Sequence, residues 1–354
     1  PPSPRVPTPT RPSMDSLTQL ALGAAVGDAV LGSRGGRRAI VWGAVLGTLP
    51  DLDVLVRSTN DLAAFTEHRS WSHSVFILTA LTPIVAFALR RLHRNAADAT
   101  FLRWSMFAWL VFVTHVVLDC FTSYGTQILW PLPSPPVAWA SIFIIDPLYT
   151  LPLCVGVVVS WRRRSRAPAS ALRWNLAGLA VSTLYLGWTV VAQSIVTARA
   201  EVALARDGID PTTVFVTPTP FNSLLWRVVA IDDEGFVEGV HSLVADGSQI
   251  AFERHYDGRP DRRELADIPA FERLDWFTRG VISVEIEHDR AVIVDLRMGA
   301  EGSYPFRFEI AERTESRFGM RAPSTWQAIE PRKLDFTFDW DRLRSIWPRI
   351  VGHD

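Results

Sequence analysis

Six apolar stretches, each approaching or reaching the ~20 residues a helix needs to cross a bilayer, crowd the first half of this 354-residue chain. They run over 16–33, 39–56, 73–90, 104–121, 138–160 and 174–198. The last, WNLAGLAVSTLYLGWTVVAQSIVTA, carries no charge at all, which sets it apart from a helix buried in a soluble core. The first two are weaker: 16–33 contains Asp28, and 39–56 ends on Asp51 and Asp53. Both suit tilted or re-entrant helices that line a protein cavity. The pattern predicts a membrane all-α helical bundle of about six segments.

The net charge of −1 hides an asymmetry. Residues 1–198 hold 16 Arg and 9 Asp/Glu, and the remainder holds 20 Lys/Arg and 28 Asp/Glu, the density of a soluble domain. Arginine clusters Arg34/Arg37/Arg38, Arg90/Arg91/Arg94/Arg103 and Arg162/Arg163/Arg164/Arg166/Arg173 fall between segments one and two, three and four, and five and six. Basic residues near segment ends stay cytoplasmic, so everything after Ala198 is expected on the outer side. The predicted location is a bacterial-type inner membrane, crossed several times, with membrane lipids as neighbours. A mean hydropathy of +0.13 with 21% charged residues excludes a disordered or nucleic-acid-coating chain, and no nucleic-acid partner is expected. Cys120 and Cys154, both in apolar runs, read as small buried hydrophobes.

Three regions follow: a proline-rich leader at 1–13, expected to be disordered; the membrane domain at 14–198; and a mainly-β extracytoplasmic domain at 199–354. In the last, TTVFVTP, LLWRVVAID, FVEGVHSLV, SQIAFERHY, GVISVEIE, RAVIVDLRM and YPFRFEIAE alternate apolar and polar residues, as strands of a sandwich or open barrel do. Phe221, Trp226, Phe236 and Trp276 suit a β core better than a substrate-facing surface.

Ionisable residues in membrane segments are costly and point to function. Five of the nine acids and three of the four histidines of residues 1–198 fall into four clusters: Asp51/Asp53, Glu67/His68/His73, His115/Asp119, and Asp146. His115 and Asp119 are four apart, which puts both on one helix face as a two-ligand metal platform or as a mutually satisfied hydrogen-bonded pair. Asp51 and Asp53 stand after Pro50, where they clamp a cation or cap a helix. The arginine topology places all four clusters toward the outer side, which favours one shared site. Three imidazoles with carboxylates and no thiolate suit Zn²⁺, with Mn²⁺ or Mg²⁺ as substitutes. Such a site activates water and polarises an ester or phosphoryl oxygen. Asp53, Glu67 or Asp146 can act as general base, and Arg69 as an anion clamp or an interfacial arginine. The loop Thr122–Gln127 offers hydroxyls for a substrate phosphate or is a polar exit from the helix.

The motifs LPDLD, EHRSWSHS, THVVLDCFTSYGTQILWP and the opening MDSLTQLALG resemble the YdjM-type family of membrane-bound metal-dependent hydrolases, itself remotely similar to zinc-dependent phospholipase C and P1-type nucleases. The resemblance implies Asp51, Asp53, His68, His73, His115 and Asp119 as metal ligands or their immediate partners. It also implies a first-segment histidine where this chain has Thr18-Gln19, a gap that Asp28 or Asp146 could fill. The resulting expectation is a membrane-embedded hydrolase of a phosphoester or other ester, possibly of a lipid. Its rival is a non-catalytic, metal-stabilised scaffold or partner-binding protein.

Overall fold

A computed structural model describes residues 15–93, 100–256, 262–299, 302–314, 325–337 and 340–352; the leader expected at 1–13 lies outside the described residues. The apolar stretches form α1 (Asp15–Gly35), α2 (Arg37–Thr48), α4 (Val75–Leu92), α5 (Phe101–Cys120), α6 (Pro147–Arg163) and α7 (Pro168–Arg206), with the short α3 (Asp61–Glu67) between α2 and α4. Among the described residues, α4, α5 and α7 are long and apolar enough to cross a membrane. Their outer faces are apolar, with Ile84 and Phe87 on α4, Leu102 and Met106 on α5, and Val181 and Leu184 on α7 all exposed. The other three segments fall short of that combination of length and apolarity. The 12 residues of α2 extend about 18 Å against ~30 Å of hydrocarbon. Pro50, which has no N–H to donate, ends the α-helical pattern, and a 3₁₀ turn at Pro50–Leu55 follows. The stretch expected at 138–160 becomes helical only from Pro147, where Asp146 caps α6 by accepting from the N–H groups of Leu148 and Tyr149. Helix α1 is ringed by α2, α5, α6 and α7, so its Asp28 is buried in protein and its low apolarity costs nothing against lipid.

Small residues bring α1 and α2 together. Gly23 and Gly27 face Gly43 and Gly47, two G-x-x-x-G spacings that let backbones touch. A Cβ at Gly47 would lie 2.7 Å from the Gln19 carbonyl oxygen, and one at Gly27 would lie 2.6 Å from that of Ala39. This contact fixes the height of the 3₁₀ turn that carries Asp51 and Asp53.

Helix α7 has 39 residues and is about 58 Å long, nearly twice the hydrocarbon thickness. It runs unbroken through the boundary expected at 198/199. Beyond it, Ala200, Ala203 and Leu204 pack on the β region, against Val216, Trp226, Ala230 and Val237. Two four-stranded antiparallel sheets follow in simple sequential order. The first holds β1 (Thr213–Pro218), β2 (Leu225–Asp232), β3 (Gly235–Ser242) and β4 (Glu253–Tyr256). The second holds β5 (Ile282–Glu287), β6 (Arg290–Asp295), β7 (Arg307–Thr314) and β8 (Thr325–Lys333). Their inner faces meet, with Val229, Ile231 and Phe236 against Val281, Val292 and Val294. Buried Arg227 joins them, pairing with Glu238 of β3 and donating to the Leu296 carbonyl at 2.6 Å.

Between and after the sheets lie α8 (Arg262–Leu265), α9 (Pro269–Thr278) and α10 (Trp340–Ile350). Phe271, Leu274 and Phe277 of α9 share one core with Leu62 and Phe65 of α3. That core sets the second sheet and α9 directly over the loop that carries the sequence-predicted histidines. Of the aromatics read as β core, Trp226 and Phe236 are buried; Phe221 packs on Phe143, and Trp276 lines a cleft.

Candidate metal centre

Four side chains from three elements converge at one end of the bundle. Asp51 stands on the 3₁₀ turn after α2, His73 on a second 3₁₀ turn (Trp71–His73) just before α4, and His115 and Asp119 one turn apart on α5. Among the described residues these four form a group that could hold a metal ion. His73 Nε2 and His115 Nε2 are 3.2 Å apart. Asp119 Oδ2 lies 3.1 Å and 3.3 Å from them, and Asp51 Oδ1 lies 3.4 Å and 3.6 Å from them. Ligands at 2.0–2.1 Å around a tetrahedral ion are separated by about 3.3 Å, so these spacings suit one small cation. His73, His115 and Asp119 are buried, and Asp51, with its side chain 19% exposed, is the opening.

The surrounding hydrogen bonds decide which nitrogens face inward. His115 Nδ1 lies 2.7 Å from the Gly47 carbonyl oxygen, which can only accept, so Nδ1 carries the hydrogen and Nε2 presents a lone pair. Ser72 Oγ donates to Asp53 Oδ2 at 2.7 Å, leaving its own lone pair to accept from His73 Nδ1 at 2.9 Å. His73 Nε2 is therefore also bare. Asp119 Oδ2, fully buried, has no hydrogen-bond partner. Two nitrogen lone pairs and two carboxylate oxygens that all point at each other repel unless a cation or protons stand between them. This donor set fits a divalent metal.

The other oxygen of Asp119 is held from two sides. Gln19 Nε2 donates to Oδ1 at 2.8 Å, and Arg69 Nη2 lies 3.3 Å away. Gln19 thus reaches the cluster from α1, within the Thr18-Gln19 pair where the family resemblance implied a histidine. Arg69 is 2% exposed, donates to Thr122 at 3.1 Å, lies over the Tyr124 ring and has φ +59, a strained backbone held by its surroundings. Asp53 takes no place among the four. It accepts from the Arg69 N–H and from Ser72, and pairs with His68 Nδ1 at 2.9 Å. Burial pushes the Asp53 carboxyl up, but the hydrogen bond and charge of His68 bring it below its ordinary value. His68 likewise stands one layer out, against Asp53 and the Tyr124 ring.

Two predicted carboxylates lie elsewhere. Asp146 caps α6 and accepts from Tyr185 at 2.7 Å, and Asp28 pairs with Arg164 and accepts from Ser160 at 2.6 Å. Both are committed to helix packing, so neither fills the gap left by the first-segment histidine. In the loop Thr122–Gln127, Thr122 donates to the Asp119 carbonyl, Tyr124 to that of Phe65 and Gln127 to that of Thr66. These groups latch the loop to α3 and α5, which is the exit-loop reading. Burial raises the Tyr124 phenol above its ordinary value.

Glu67 faces a cleft of about 730 Å³. One wall is Glu67, Ser70, Trp71 and Trp130; the other comes from α9, with Arg273 and Trp276. Arg273 donates to both oxygens of Thr66 and stacks on Trp276, so the C-terminal region forms one wall of this cleft. Sequence reasoning missed Gln19, Ser72, Gly47 and Arg273. The G-x-x-x-G spacing was a usable signal for Gly47 alone.

Membrane-capable helices beside a largely buried two-Asp, two-His cluster mark a membrane protein with a group that could hold a metal ion. Residues 14–196 match the family described as YdjM inner membrane protein. The chain belongs to that family. It is also similar to "Uncharacterized protein YfhP" of Bacillus subtilis (strain 168), with 23% identity over 309 residues, 83% of this chain and 89% of that one. No solved structure matches.

Proposed function

We propose that this chain is a membrane-embedded metal-dependent hydrolase of phosphoester or other ester bonds, with lipids among the candidate substrates. The observation that carries the reading is the partnerless, buried Asp119 Oδ2 within 3.1–3.3 Å of two bare imidazole nitrogens. Asp51, His73, His115 and Asp119 would hold the ion, and two imidazoles with two carboxylates suit Zn²⁺ first, with Mn²⁺ or Mg²⁺ as substitutes. Once bound, such an ion supplies Lewis acidity and makes water a better nucleophile at neutral pH. The chain's own residues do the rest. Ser72 and Gly47 fix the imidazole tautomers, and Arg69 with Gln19 orients Asp119 while partly offsetting its charge. Glu67 is the proposed general base, because its carboxylate lines the cleft next to Ser70 and Trp71. Arg273 on the facing wall is placed to meet an anionic group.

The proposed setting is a bacterial-type inner membrane with the cluster and the C-terminal domain on the outer side, supported by the three arginine-rich connections. Membrane lipids then reach the cleft laterally. A second reading, a closed structural metal site in a scaffold, draws support from the burial of three of the four side chains. The test is hydrolysis of a phosphodiester and phospholipid panel by purified protein, with and without chelator. Activity that chelator abolishes and Zn²⁺ restores, and that Glu67→Gln reduces, supports the enzyme. A metal-loaded protein inactive across the panel supports the scaffold.

A further inference from the structure

A second charged cavity, of about 460 Å³, lies at the opposite end of the bundle, where the α1–α2 and α6–α7 connections meet. Its lining includes Arg34, Arg37, Arg38, Arg164, Ser33 and Ser165, and no acidic residue. Gln19, at the metal cluster, and Arg34 are fifteen residues apart on α1, about 22 Å along the axis. The two sites are therefore separate.

Three features make this cavity more than a set of loop arginines. Helix α2 starts there with Gly36 as its N-cap, which offers no side-chain acceptor; its first turn has no acid, and it begins instead with Arg37 and Arg38. Cations at the positive end of a helix are unfavourable, so an anion placed here would stabilise this end. Arg164, only 7% exposed, lines the cavity over its buried pair with Asp28, and its Nε has no hydrogen-bond partner. Arg37 is held in place, with Nε donating to the Trp161 carbonyl at 2.9 Å and the guanidinium over the Trp161 ring. A preplaced guanidinium loses less freedom when it binds.

Depth identifies the ligand. The cavity is lined by Pro168, the first residue of the membrane-capable α7, and Trp161 and Trp174 near it are 39% and 46% exposed. Exposed tryptophans at helix ends mark the headgroup layer. We propose that this cavity binds the phosphate of an anionic phospholipid headgroup, recognised by the arginines that line it and the α2 N-terminus.

The test uses full-length protein in neutral detergent, with binding of short-chain phosphatidylglycerol, phosphatidylcholine and inorganic phosphate followed by native mass spectrometry. Phosphatidylglycerol is expected to bind roughly tenfold or more tighter than phosphatidylcholine, and Arg37→Gln/Arg38→Gln is expected to erase that preference. Equal affinity for the two lipids in the unaltered protein overturns the proposal. Inorganic phosphate binding as tightly as phosphatidylglycerol overturns the lipid assignment in favour of free phosphate. Should the double variant misfold, the salt dependence of the unaltered protein decides: a preference that collapses between low and high salt supports the site, and one indifferent to salt refutes it.

Discussion

His73 and His115 face each other through bare Nε2 atoms 3.2 Å apart, each ring held from behind through its Nδ1. One holder is a serine hydroxyl backed by Asp53, and the other is the Gly47 main-chain carbonyl. The site therefore depends on residues that are not ligands.

Ser72→Ala tests the first of these. Without the hydroxyl, His73 Nδ1 loses its acceptor and the ring its fixed tautomer, while the four ligand atoms remain. Metal affinity is expected to fall about 10- to 100-fold, measured by competition with a chelator of known affinity. Unchanged affinity would show that the ring is held by packing alone.

Gly47→Val tests the second. The new side chain meets the Gln19 carbonyl, pushing α2 off α1 and dragging both the Gly47 carbonyl and Asp51 away from His115. A cost of about 1–3 kcal/mol and loss of bound metal are expected. Gly187→Ala, which meets nothing within 4 Å, is the control and should be neutral or slightly stabilising.

Asp28→Asn separates structure from site. Arg164 would keep its buried charge without a carboxylate, at about 3–5 kcal/mol. The thermal midpoint is expected to drop while metal content stays the same. Metal loss in a folded variant would instead make Asp28 part of the centre.

Asp246 gives a pH test in the C-terminal region. Burial raises its carboxyl, but the Ser242 N–H and Arg349 outweigh this and hold it below the ordinary value. The stabilisation is thus fully present above the unfolded value of about 3.9 and is lost as pH falls through the lower folded value. Asp246→Asn should cost up to about 1 kcal/mol at pH 7, with the difference closing in acid. It is read from paired denaturation curves.

The helices were readable because apolar runs leave a strong trace, and the His115/Asp119 pair because a spacing of four fixes a shared face. The short α2 and the late start of α6 were not, since both boundaries depend on prolines and a capping Asp146 inside continuous apolar sequence. α9 and β8 escaped because α9 is buried by partners distant in sequence and β8 lies largely exposed, without clear alternation. Of the six residues expected as metal ligands or their immediate partners, Asp51, His73, His115 and Asp119 converge into one group that could hold an ion. Asp53 and His68 belong one layer out, a distinction that depends on three-dimensional distance and leaves no mark in residue type.

The most direct test is elemental analysis of the purified, full-length protein beside His115→Ala and Asp119→Asn variants shown to be folded. The account predicts about one equivalent of a divalent metal in the parent and a near-complete loss in both variants. A parent free of metal after growth and purification with Zn²⁺, or variants that retain the parent's content, would contradict it.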